Sequence, residues 1–346
     1  GTDTLTVTST DVSALNFPSE NTFLATLETL NITGGATGGV AVSIPSTALD
    51  FTTLTADGTS DSLSVFSDFD SDEVDLRGIT LTDVETVLMT EASFQQFMKI
   101  DASTTLTGLT AISGTLNSSA LDDQILVNGD RNFSGVTFTN IDKIELSDGS
   151  GTQQTIAASS STVFGSGSAL TEISGFSPSA SNVDIFDYTS ALTAGNGTAI
   201  SAGTGSTNQL VVTTVANGAG ATALSANATG VVDFKDSDLS ASGLSVDLST
   251  ASSSDILVAI EKLLESRDDG AQLTADSTAQ VAAGAENSDM LLLFYETNGS
   301  TSSFSSNDDA VIIRYQEGAQ DNDFNGELSV VAIIDAIDGL DNANIV

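Results

Sequence analysis

Leu27-Glu28-Thr29-Leu30, Val84-Glu85-Thr86-Val87 and Ile141-Asp142-Lys143-Ile144 decide how this chain is read. Their acidic positions, 28, 85 and 142, are 57 residues apart both times, and each follows an apolar, Thr-containing stretch: Phe23-Leu24, Ile79-Thr80-Leu81 and Val136-Thr137-Phe138. A second phrase recurs in the same order: Asp3-Thr4-Leu5-Thr6-Val7, Asp61-Ser62-Leu63-Ser64-Val65 and Asp123-Gln124-Ile125-Leu126-Val127. Apolar residues alternate with Thr, Ser or charge, which is the period of a strand with one face buried. A unit of several such strands cannot bury its apolar side alone, whereas units stacked end to end can. Residues 1–150 are therefore expected to form parallel β-solenoid repeats of about 57 residues. The alternative is a β-sandwich whose hairpins share a composition.

Working outward, 151–250 is a Gly/Ala/Ser/Thr-rich β continuation, with strands expected at 183–188, 199–202 and 209–215. Residues 251–346 read as a small α+β cap. Ile256, Ile260, Leu263 and Leu264 define a helix face, with Ser254 or Asp255 as its cap and Gly270 as its stop. Strands follow at 290–295, 310–315 and 328–337. The fold class is mainly β.

Composition narrows the chemistry. Of 346 residues, 47 are acidic and 8 are Lys or Arg, giving a net charge of −39, with no Cys, His or Trp. Nucleic-acid and anionic-lipid partners need clustered cations, and no run is long and apolar enough for a membrane helix. Thiol nucleophiles, imidazole acid–base pairs and zinc-finger sites are excluded. Abundant oxygen donors favour hard cations such as Ca2+. No signal peptide opens the chain, and an upstream part is expected to be missing, because residue 1 is Gly. The absence of Cys suits an exported protein that folds without oxidation.

Candidate metal ligands follow from spacing. Asp321, Asp323, Asn325 and Glu327 place oxygen donors at alternate positions around Gly326, which permits a coiled calcium loop; an acidic surface turn is the alternative. Ala332 stands where an EF-hand needs its last Glu. Asp68, Asp70, Asp72 and Glu73, with Asp75, concentrate negative charge that a cation or solvent must screen. Asp122 and Asp123, with Asn128 and Asp130, repeat the idea. No catalytic residues are assigned. The chain is read as non-enzymatic, because carbohydrate sites lean on aromatic platforms and cations that are scarce here. Phrases such as Thr4-Leu5-Thr6 would order water and bind ice if stacked flat, but they do not recur at a constant turn length. Outward Thr is therefore expected only to favour strands.

The phrases Gly78-Ile79-Thr80-Leu81-Thr82-Asp83-Val84-Glu85-Thr86-Val87 and Gly135-Val136-Thr137-Phe138-Thr139-Asn140-Ile141-Asp142-Lys143-Ile144 resemble repeats of bacterial surface-layer proteins and giant repeat adhesins. Asn182-Val183-Asp184-Ile185-Phe186-Asp187-Tyr188, the helix and the last strand pair are similar to the ends of type I-secreted proteins. The resemblance implies a calcium-loaded, extracellular β-solenoid on a bacterial cell surface. It departs from those families in lacking the nonapeptide G-G-x-G-x-D-x-U-x of the calcium β-roll. The expected function is self-assembly into a calcium-stabilised surface layer, sheath or filament, with cell-surface polysaccharide as a further partner. A calcium-dependent adhesin segment is the first alternative and a polysaccharide-active β-helix enzyme the second.

Overall fold

A computed structural model of the chain describes residues 2–8, 14–17, 27–33, 39–49, 51–57, 60–66, 73–90, 95–115, 123–147, 152–165, 170–176, 184–188, 212–214, 229–238, 247–248, 251–266, 289–295, 309–316 and 327–334. It forms two compact units. The first comprises Gly1–Arg131, Gly135–Thr152 and Ser161–Thr171; the second comprises Asn132–Ser134, Gln153–Ser160 and Glu172–Val346.

The first unit is a three-faced β-solenoid. Face A holds Thr4–Thr8, Thr29–Thr33, Thr53–Thr55, Thr80–Thr82 and Thr105–Thr107. Face B holds Ala14–Asn16, Ala41–Pro45, Ser62–Phe66, Thr86–Met89, Ala111–Ser113 and Thr137–Thr139. Face C holds Glu73–Asp75, Phe97–Asp101, Asp123–Asn128 and Ile141–Leu146. Every strand pairing within these faces is parallel. A sandwich of hairpins would pair antiparallel, so the stacked fold holds and the sandwich does not.

Period-two patterning explains the core. Leu30, Leu54 and Leu81 are in register on face A, Leu63, Val87, Ile112 and Phe138 on face B, and Val74, Met98, Ile125 and Ile144 on face C, all buried. Each such side chain contributes roughly 1.5–3 kcal/mol by leaving water. Phe138 continues its column by stacking on Phe164, with ring centroids 5.4 Å apart.

Turn length varies and register does not. Thr4 to Thr29 is 25 residues, Thr29 to Thr53 is 24, Thr53 to Thr80 is 27 and Thr80 to Thr105 is 25. One turn is thus about 25 residues. The 57-residue spacing corresponds to two turns plus one side: the Glu28 phrase lies on face A, the Glu85 phrase on face B and the Asp142 phrase on face C. Variable corners take up the difference. Asp83 and Asn140, also 57 apart, bend the chain at the ends of their Thr-x-Thr strands with φ of 55° and 54°; Asp and Asn tolerate this left-handed region better than most residues.

The register brings together Thr-x-Thr phrases that are unequally spaced in the sequence. On face A, Thr4, Thr29, Thr53, Thr80 and Thr105 form one rank, and Thr6, Asn31, Thr55, Thr82 and Thr107 form a second. Thr8 and Thr33 begin a third, their hydroxyls 2.9 Å apart.

In the second unit, Thr155–Ala157 pairs in parallel with Ile185–Asp187. Asp289–Tyr295, Ala310–Gln316 and Leu328–Ile334 form an antiparallel set, flanked by parallel Thr229–Asp238 and Glu172–Ser174; Val212–Thr214 adds to Thr229–Asp238. Because Thr229–Asp238 joins this sheet, the division placed at 250 and 251 from sequence is spanned by strand pairing. The helix Ser253–Ser266 buries Ile256, Ala259 and Ile260. Its cap is Ser252, not Ser254 or Asp255. The Asp255 N–H donates to Ser252 O at 3.0 Å and Oγ at 3.3 Å, and Ser252 Oγ donates to the Asp255 carboxylate at 2.6 Å, so the Ser252 side chain covers an N–H of the first turn. The side chains of Leu263 and Leu264, Gly270, and the strand expected at 199–202 lie outside the described residues.

Candidate functional site

The acidic residues of the solenoid are built into its corners. On face A, the Asp3 carbonyl accepts the N–H groups of Glu28 and Thr29 at 3.2 and 3.1 Å, and Glu28 Oε2 accepts the Asp3 N–H at 2.6 Å. One rung on, Thr52 and Thr53 donate their N–H groups to the Glu28 carbonyl at 2.9 and 3.0 Å, and Thr52 Oγ1 donates to it at 3.0 Å. Face B repeats the arrangement with Asp61, Glu85 and Thr110. Glu85 and Thr86 donate to the Asp61 carbonyl at 3.0 and 3.1 Å, Glu85 Oε2 accepts the Asp61 N–H at 2.6 Å, and Thr110 Oγ1 donates to the Glu85 carbonyl at 3.1 Å. Face C carries a reduced version at a register shift between Asp123 and Gln124, where Thr171 Oγ1 donates to the Ile141 carbonyl at 2.8 Å.

A second relation runs backwards along the stack. Asp61 Oδ1 accepts the Val40 N–H at 2.6 Å, and Asp123 Oδ1 accepts the Gln96 N–H at 2.7 Å. In the second unit Asp184 Oδ1 accepts the Gln154 N–H at 2.7 Å. All three Asp are fully or almost fully buried. A carboxylate is an acceptor-only group with two oxygens, and its charge-assisted bond to a backbone N–H is roughly twice as strong as a neutral one. Each therefore satisfies a strand-start N–H that the ladder leaves open. The sequence signal was present in the Asp that opens each Asp-x-apolar phrase, but it points to backbone capping as well as to metal.

The predicted metal ligands divide accordingly. Asp68, Asp70, Asp72, Asp122, Asp321, Asp323 and Asn325 lie outside the described residues. Asp123 binds backbone with both oxygens, Oδ2 accepting the Thr115 N–H at 2.9 Å. Glu73 pairs with Lys99 at 2.5 Å on the outside of face C. Glu327 immediately precedes the last described strand, its carbonyl accepting the Gln316 N–H at 2.9 Å. Among the described residues no three acidic side chains converge on a point where an ion could sit.

Arg77, Lys99, Arg131 and Lys143, four of the eight cations, lie in the first unit on or beside face C strands. Arg77 Nε and Nη2 donate to Asp75 at 2.8 and 2.5 Å. That pairing lowers the Asp75 pKa against a smaller opposing effect of burial, and raises that of Arg77. Asp101 is partly desolvated, which works against its charge, but bonds from Ser103 and Thr104 outweigh this and lower its pKa. Arg131 Nη1 donates to the Thr104 carbonyl at 2.8 Å. Burial lowers the Arg131 pKa, opposed by the charges of Asp101 and Asp130.

Face A differs in kind. Its outward positions carry Thr throughout except Asn31, with no charge. Unequal spacing argued in the sequence against a regular Thr ladder; the alignment shows only when the corners bring unequal turns into register. Compared with protein-family models, with curated proteins and with solved structures, the chain matches none.

Proposed function

We propose that this is a non-catalytic, extracellular structural protein of a bacterial cell surface that assembles with further copies of itself into a layer, sheath or filament, with calcium neutralising its surface carboxylates. The observation that carries the reading is the parallel stack itself. Rung joins rung through the same backbone ladder on all three faces although turn length varies, and strand addition of this kind also joins one chain to another. Face C supports lateral contact, since Lys99–Glu73 and Arg77–Asp75 balance charge there. Elsewhere a net charge of −39 makes copies repel until counterions screen them. Calcium acts here between exposed carboxylates, because the buried Asp61 and Asp123 are committed to backbone.

Negative-stain microscopy and sedimentation of the purified chain, with millimolar calcium and with excess chelator, test the reading. Ordered sheets or fibres with calcium that dissolve in chelator are expected. Particles that stay monomeric in both conditions would overturn assembly and favour an adhesin segment, with the solenoid as a stalk. Cleavage or epimerisation of uronic-acid polymers would instead reveal an enzyme.

A further inference from the structure

The geometry points to face A as an ice-binding surface, a function separate from assembly. Its ligand is crystalline water, met by the two Thr ranks described above. Neighbouring ranks lie two residues apart along a strand, about 6.6–6.8 Å, and neighbouring rungs about 4.8 Å apart. The result is a two-dimensional lattice of methyl and hydroxyl groups, five rungs deep, with repeats close to those of the prism faces of hexagonal ice. Such a lattice holds a first water layer in place through many weak contacts that act together, each hydroxyl bonding water as well as it would bond protein.

Strand propensity does not account for the pattern. Faces A and B are built from equally short parallel strands under the same backbone demands, yet outward Thr on face B is confined to Thr86, Thr137 and Thr139, with Ala, Ser, Asn, Pro45, Phe66 and Leu88 elsewhere. If Thr were present only because it suits strands, both faces would carry it alike. Charge gives an independent argument. Outward face C positions include Glu73, Asp75, Lys99 and Asp101, whereas face A has none in a chain with 47 acidic residues. Charged groups hold water in shells incompatible with a crystal lattice, so a surface meant for ice must exclude them. A crystalline polysaccharide is the competing flat ligand, but it stacks on aromatic rings, and the outward ranks contain none.

The test uses the full chain, fluorescently labelled at its amino terminus. Adsorption to a growing ice hemisphere and inhibition of ice recrystallisation are measured for wild type, for T55K/T82K in the centre of the lattice and for S64K on face B. Wild type and S64K should act at the same concentration, and T55K/T82K should need at least tenfold more while keeping the same circular dichroism and melting temperature. If the lysine pair unfolds, T55V/T82V keeps the shape, removes the hydroxyls and should also lose at least tenfold. No ice adsorption by wild type, equal losses in S64K and T55K/T82K, full activity in T55V/T82V, or binding to crystalline chitin or cellulose in place of ice would each overturn the assignment.

Discussion

Asp61 Oδ1 lies 2.6 Å from the backbone nitrogen of Val40, a residue 21 positions earlier and one turn below it. Both residues are buried. The bond joins the start of one face B strand to the start of the next, and its failure would leave a peptide N–H without a partner inside the stack. Leaving a buried donor unsatisfied costs about 1–3 kcal/mol. Asp61→Ala should lower stability by that amount, while Asp61→Asn, which keeps a carbonyl oxygen in place, should cost about half. Urea unfolding followed by circular dichroism measures both. An alanine variant as stable as wild type would show that the contact contributes nothing.

The corners Asp3–Glu28–Thr52 and Asp61–Glu85–Thr110 are the same construction on adjacent faces, so equivalent substitutions should have equal effects. Thr52 and Thr110 are exposed, and each hydroxyl donates to the Glu carbonyl of the rung before it, at 3.0 and 3.1 Å. Thr52→Val and Thr110→Val should each cost about 0.5–1 kcal/mol, the net value of one such bond. Chemical denaturation of the two single variants checks this. A difference above about 1 kcal/mol would mean that the corners are alike in outline and not in energetics.

These corners also explain what the sequence could reveal. Alternation in phrases such as Ser62-Leu63-Ser64-Val65 survives in the fold because period two has one physical meaning, one face in and one face out. The 57-residue spacing is real, but it measures the recurrence of a corner after two turns and one side, a relation visible only once three faces exist. Asp123 carries the reverse lesson. In sequence it belongs to an acidic pair; in the fold its carboxylate is consumed by the N–H groups of Gln96 and Thr115, which residue type alone cannot announce. The Thr ranks were hidden for a related reason, since corners of unequal length scatter in sequence what the ladder aligns in space.

Gly39 and Gly78 both turn the chain with positive φ, 78° and 76°. Their surroundings separate them. A Cβ on Gly39 would fall 2.1 Å from the Ser60 carbonyl oxygen and 2.4 Å from its carbon, so the backbones of successive turns would have to part. At Gly78 the nearest atom to such a Cβ is Ser103 Oγ, 3.9 Å away. Gly78→Ala should cost only the conformational penalty, about 1–2 kcal/mol. Gly39→Ala should cost more than about 4 kcal/mol, in the range reserved for broken packing. Thermal melts of both variants test the ranking. Equal melting temperatures would mean that the Gly39 corner opens freely.

Acid should loosen the outer side of face C first. Asp75 is held charged by Arg77, and Asp101 by the hydroxyl of Ser103 and the N–H groups around it, so both have folded-state pKa values below the ordinary one. A group whose pKa is depressed on folding adds stability that is fully present above its unfolded value, about 3.9 for Asp, and is lost as pH falls through the folded value. The melting temperature of the wild type should therefore fall as pH drops below about 4. Asp75→Asn, which has no such proton to take up, should show a shallower decline over the same interval and a lower melting temperature at pH 6. Because the Arg77–Asp75 pair is solvent-accessible, 0.5 M salt should narrow the gap between the two proteins at pH 6. Scanning calorimetry from pH 2 to 6 at low and high salt reads all three effects. Parallel profiles for wild type and Asp75→Asn would show that the Arg77–Asp75 pair does not carry the acid sensitivity.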